Sequence, residues 1–127
     1  MTDASPTSEN LPQVLLSFDV EECFQIEAVR TAIRPHQWDD YPSRVEAMID
    51  WLLETLAEHD QQATFFTLGW IAQRHPRMVR RIVDAGHELA CHGYGHARLH
   101  TLTPQEFAQD LRRARHTLEQ ASGEAVF

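Results

Sequence analysis

Two histidines four residues apart, in His92-Gly93-Tyr94-Gly95-His96, have the clearest capacity for chemistry in this chain. Neutral imidazole is a common ligand for zinc and related divalent ions, and two rings at that spacing can converge on one ion from a helical turn or a compact loop. The spacing alone is weak. With 8 histidines in 127 residues such pairs arise by chance, and His96 with His100 makes another. A second cluster strengthens it: Asp19 and Glu21 close an apolar run, and in a strand residues two apart share a face, so the two carboxylates point the same way. Glu21, His92 and His96 would then supply a two-histidine, one-carboxylate metal set with positions left open for water and substrate. Asp19 would be spare, close enough to act as a base.

Those residues meet only if the intervening elements carry them to one rim. Val14 to Val20 is a short, almost continuous apolar run, the pattern of a strand buried on both faces of a parallel sheet. Gln62 to Leu68 and His87 to Cys91 predict two more strands. Ser43-Arg44-Val45-Glu46 fits a capping box and opens a helix over about 43–59, with Val45, Met48, Leu52, Leu53 and Leu56 at inward spacing. Pro76 separates helices over about 70–74 and 76–85, the second with Met78, Val79 and Ile82 inward and Gly86 just past its end. Thr103-Pro104-Gln105-Glu106 is a second capping box, and Phe107, Leu111, Ala114 and Leu118 mark the inward face of a helix ending near Gly123. Residues 125–127 read as the first step of a fourth strand. Strand and helix thus alternate three times, which predicts right-handed parallel crossovers with the acidic strand end and the histidine loop on the same C-terminal rim. A closed (β/α) barrel takes about 200 residues or more, so if these units belong to a barrel they cover roughly its first half.

Composition narrows the function classes. The 11 basic residues are all arginine against 19 acidic ones, a formal charge of −8. With no lysine there is no Schiff-base chemistry and no Walker lysine, and the acidic excess argues against binding nucleic acid or anionic membranes. No run approaches the length of a membrane span, and residues 1–12 form a polar, flexible lead-in without the marks of a secretory signal. Cys23 and Cys91 could make at most one bridge, so reduced thiols and a cytoplasmic location are expected. The segment from Cys23 to Tyr41 lacks a clean period and predicts a long ordered loop with a helical turn, of the kind that often carries function. Trp38 and Tyr41 in that loop either line a sugar-binding surface or pack beneath it. The plainer alternatives are a solvated strand end at Asp19, Glu21 and Glu22, a simple turn at Gly93 and Gly95, a structural His87, a loop residue at His100, and core positions for Trp70 and Phe107.

Three segments in order, Leu16-Ser17-Phe18-Asp19-Val20-Glu21-Glu22, Ala63-Thr64-Phe65-Phe66 and Gly86-His87-Glu88-Leu89-Ala90-Cys91-His92-Gly93-Tyr94-Gly95-His96, resemble the N-terminal half of the polysaccharide deacetylase family. This is the NodB homology domain of carbohydrate esterase family four, and the likeness is greatest to its Asp-Val-Glu-Glu, exopolysaccharide-associated branch. The resemblance spans about residues 13–127 and implies an α/β fold, the N-terminal part of a distorted (β/α) barrel. It implies hydrolysis of N-acetyl groups from amino-sugar units of a polysaccharide with a divalent metal, often zinc. By that likeness Asp19 is the catalytic base and His92 and His96 are metal ligands. Val20 stands where the family usually has a second aspartate, so the carboxylate ligand becomes Glu21 or, second in order, Glu22. Tyr94, whose loop offers a backbone amide to an oxyanion, and Trp38 are the expected substrate contacts. The family's later arginine and histidine motifs lie beyond residue 127, so the chain is expected to be a fragment incomplete for turnover. An allantoinase-type cyclic amidase and a non-catalytic, carbohydrate-binding remnant are the alternatives.

Overall fold

The computed structural model describes residues 13–126. The expected lead-in at 1–12 and the last residue of the expected fourth strand lie outside them. Three parallel strands, β1 (Ser17–Val20), β2 (Thr64–Thr67) and β3 (Glu88–Cys91), form a sheet in the order β1-β2-β3. The register aligns Asp19 with Phe66 and Phe66 with Ala90, so each crossover returns to the next strand without slippage. Three helices supply the two crossovers, α1 (Val45–Glu58) between β1 and β2 and α2 (Gly69–Arg74) with α3 (Pro76–Asp84) between β2 and β3, and α4 (Pro104–Ser122) follows β3.

One core joins the helices to one sheet face. Val20 and Phe65 from the sheet meet Ile49 and Leu56 of α1, Ile71 of α2, Met78, Val79 and Ile82 of α3, and Leu118 of α4, all buried. Removing a side chain such as Phe65 from water contributes on the order of 2–3 kcal/mol. The opposite face carries Asp19 and Glu88, both exposed, and the half-buried Phe66. That alternation corrects the expectation of a first strand buried on both faces. β1 is a sheet edge covered on one side only, and Val14 and Leu15 lie before it and are exposed.

The two predicted capping boxes part ways. At α4, Thr103 Oγ1 accepts from the Glu106 amide at 3.2 Å while Glu106 Oε2 accepts from the Thr103 amide at 2.8 Å, and Gly123 ends the helix at φ 75°. At α1 no such box forms. Glu46 instead meets His75 Nδ1 at 3.2 Å and Arg81 Nη2 at 3.5 Å. The first amides of α1 are capped from outside the helix: Arg44 N and Val45 N donate to Glu22 Oε1 at 3.1 and 3.3 Å, and the Ser43 hydroxyl donates to the same carboxylate. An anion at a helix N-terminus is favoured both by these bonds and by the helix dipole.

Two inward faces are narrower than expected. Met48 is 61% exposed, and its place in the core is taken by Ile49. Phe107 and Leu111, each 41% exposed, belong to the first half of α4, whose buried stripe of Ala114, Leu118 and Ser122 begins only past them. Residues 125 and 126 form no strand, although Val126 is buried in the core.

Candidate metal centre

At the C-terminal rim, β1 delivers Asp19 and Glu21 while the turn after β3 delivers His92 and His96. His92 N continues the sheet by donating to Thr67 O at 3.2 Å. The loop then rests on α2, whose Gly69 and Trp70 amides donate to Gly93 O at 2.9 Å and Tyr94 O at 3.0 Å. Gly69 is required there, because a Cβ at that position would lie 2.6 Å from the Tyr94 ring and 2.9 Å from Ala114 Cα. Gly93 adopts φ 78°, a conformation that favours glycine.

The loop turns both imidazoles onto Glu21. Ligand atoms of Glu21, His92 and His96 all lie within 4.8 Å of one another, and all three residues are half-buried. Glu21 Oε2 is 3.4 Å from His96 Nε2 and 4.0 Å from His92 Nε2. Two of these atoms, Glu21 Oε2 and His92 Nε2, are buried without any hydrogen-bond partner. An unsatisfied buried polar atom is costly, and a cation held between these two would satisfy both. The donor set of two nitrogens and one carboxylate oxygen suits zinc-like divalent ions and leaves coordination positions open. Asp19 stands beside this group, its Oδ2 4.0 Å from His92 Nε2, with a more exposed side chain than that of Glu21.

Of the two candidate carboxylates, the geometry gathers Glu21 with the histidines and engages Glu22 elsewhere. Glu22 is 3% exposed and spent on the α1 cap, a role invisible in sequence because its partners lie more than 20 residues downstream. Two other expectations are corrected. Trp38 is 4% exposed, edge-on to Trp70 at 5.5 Å and 6.3 Å from Phe24, so it packs beneath the long segment rather than lining a surface. Tyr94 is 8% exposed, its ring lies 3.5 Å below the Arg113 guanidinium and its hydroxyl donates to Gln73. Its amide, the expected oxyanion donor, already donates to Asp110 Oδ2 at 3.0 Å.

The remaining histidines stand apart from the cluster. His100 lies exposed in a short 3-10 turn, and His87 is buried where its Nδ1 accepts from the Ala63 amide at 3.3 Å. Burial holds the His87 pKa below the usual histidine value. Burial likewise pushes the Cys91 thiol up, against a partial offset from its bond to the Gly93 backbone, which disfavours the thiolate. The long segment, expected to hold a helical turn, holds two 3-10 turns, Glu27–Val29 and Pro35–Asp40. It reaches the rim: Arg30 Nη1 donates to His96 O at 2.6 Å, and His96 Nδ1 lies 2.8 Å from Gln25 O. Sequence reasoning missed both partners, since nothing local ties them to a histidine some 70 residues away.

Residues 36–126 match the polysaccharide deacetylase family profile. The chain belongs to this family. A chitooligosaccharide deacetylase of Sinorhizobium fredii is 34% identical over 88 residues, 69% of this chain and 40% of that protein. A peptidoglycan-N-acetylglucosamine deacetylase of Bacillus cereus is 32% identical over 74 residues, 58% of this chain and 27% of that protein. Among solved structures, a candidate polysaccharide deacetylase from Mycobacterium smegmatis superposes with a TM-score of 0.74 at 30% identity, over 98% of this chain and 46% of that one. The chain therefore spans less than half the length of these relatives, and its sheet and helices are part of the deacetylase family's distorted barrel.

Proposed function

We propose that this chain carries the metal-binding part of a polysaccharide deacetylase centre, in which acetate is hydrolysed from N-acetylated amino-sugar units. The observation that carries the proposal is the convergence of two partnerless buried atoms, Glu21 Oε2 and His92 Nε2, with His96 Nε2. Glu21, His92 and His96 would hold one divalent ion, zinc by the character of the donors. Such an ion, when bound, acidifies water toward a pKa of about 7 and polarises an acetamide carbonyl.

The chain's own residues do the rest. Asp19 accepts the proton of the attacking water at a carboxylate oxygen, a role suited to its place beside the histidines and to its exposure toward an incoming acetamide. Glu21, less exposed than Asp19, stays an acceptor-only carboxylate facing the two rings. Glu22 takes no part in proton transfer, because its oxygens are filled by the α1 amides.

The experiment is acetate release by the full-length protein from N-acetylglucosamine oligomers, run beside ring opening of a cyclic ureide. Acetate release that falls at least a hundredfold in Asp19→Asn supports the proposal. Ureide opening instead would assign the cyclic amidase activity, and sugar binding with no hydrolysis would assign a binding module.

A further inference from the structure

His96 is fastened from outside its own loop. Its backbone sits in the left-handed region at φ 54°, uncommon for a residue other than glycine. Two groups of the segment between β1 and α1 hold it there. The Arg30 guanidinium donates to its carbonyl at 2.6 Å, and the Gln25 carbonyl oxygen lies 2.8 Å from its ring Nδ1. A carbonyl oxygen can only accept, so Nδ1 carries a proton, which in the neutral ring leaves the lone pair on Nε2. Nε2 faces Glu21 Oε2 at 3.4 Å.

The support is itself anchored. Gln25 is 2% exposed, its amide donates to Glu22 O at 2.9 Å and its Oε1 accepts from the Glu22 amide at 2.8 Å. Glu22 in turn is held by the first amides of α1. A continuous set of bonds therefore runs from the α1 N-terminus through Glu22 and Gln25 to the His96 ring, and Arg30 closes it on the His96 backbone. The ion pair of Arg30 with Glu27, at 3.9 Å between part-exposed side chains, contributes little beside this.

We propose that Arg30 and the Gln25 carbonyl are positioning groups that preset His96 as a ligand, fixing its tautomer and its backbone before an ion arrives. The proposal rests on the metal-centre reading above and adds residues from a segment that the ligand set does not include. A ligand whose second ring nitrogen is held loses less freedom on binding, and removing such support costs about 10- to 100-fold in metal affinity.

The test combines zinc titration of the full chain with long-range proton–nitrogen spectra of its histidine rings, in wild type, Arg30→Ala, Arg30→Lys and His92→Ala. The wild-type metal-free chain is expected to show His96 protonated at Nδ1. Arg30→Ala should let the ring average between tautomers and weaken zinc by about 10- to 100-fold, and Arg30→Lys, which keeps a donor, should recover most of that loss. Wild-type affinity and an unchanged His96 ring in Arg30→Ala would overturn the proposal. Should Arg30→Ala not fold, Arg30→Gln repeats the comparison. If wild type binds zinc no better than His92→Ala, the metal reading fails on its own. The ring spectra then decide: averaging in the Arg30 variant upholds the clamp, and an unchanged ring refutes it.

Discussion

The three carboxylates at the end of β1, Asp19, Glu21 and Glu22, sit in different environments, and the proposal gives each a different job on that basis. Glu22, 3% exposed and bonded to the α1 amides, is a structural cap, so Glu22→Ala should lower the unfolding free energy by about 1–2 kcal/mol, measured by urea denaturation, with metal stoichiometry retained. Loss of metal binding with unchanged stability would reverse the assignments of Glu21 and Glu22. Asp19, exposed beside His92, should behave oppositely: Asp19→Asn keeps both fold and metal while acetate release in the full-length protein falls, and normal turnover would remove it from the base role. The histidine pair was legible in sequence because its geometry is local, four residues around one turn. The distinction between Glu21 and Glu22 was not, because it depends on which carboxylate the start of a helix 20 residues later claims. Trp38 was ambiguous for the same reason, since only its packing on Phe24 and Trp70 shows that the long segment covers it.

The elements were legible where period and capping agreed. α3 and α4 begin at prolines and stop at the signals their sequences carry, and β2 and β3 fall within the predicted runs. Element edges and faces were less so: Val14 and Leu15 read as strand yet lie exposed ahead of β1, and Met48 fits a helical stripe that the core does not reach. Two close approaches are testable at this scale. Gly69→Ala would drive a methyl into the Tyr94 ring and the α4 backbone, so it should cost about 1–3 kcal/mol in thermal or urea unfolding and disturb the histidine loop; wild-type stability would show that the loop yields freely. His87, between α3 and β3, has its pKa lowered by burial and accepts a hydrogen bond from the Ala63 amide. Its folded pKa lies below the unfolded value of about 6.5, so the unfolded chain binds more protons in that range. Its contribution is therefore complete above about pH 6.5 and is lost as pH falls through that value toward the folded pKa. The urea midpoint should drop between pH 7.5 and 5.5 in wild type and less in His87→Gln; equal slopes would contradict this.

For the molecule as a whole, alternation of strands and helices was enough to predict a parallel sheet with its chemistry on one rim, because right-handed crossovers leave few other arrangements. What the pattern could not convey is how the rim is braced. The segment between β1 and α1 reads in sequence only as a long ordered loop, and it stitches the first strand, the first helix and the histidine turn together through Glu22, Gln25 and Arg30. Exposed Ile26, Met48 and Trp51 flank the β1 edge, an apolar surface that favours association. Sedimentation of the 127-residue chain should show self-association that Trp51→Glu reduces, and a wild-type monomer at all concentrations would contradict it. The central claim, that Glu21, His92 and His96 share one cation, is tested most directly by zinc titration calorimetry of wild type against Glu21→Gln, His92→Ala and His96→Ala. The account predicts one equivalent bound by wild type and strongly weakened binding in each variant; a wild-type chain that binds no zinc, or variants that bind it equally well, would contradict it.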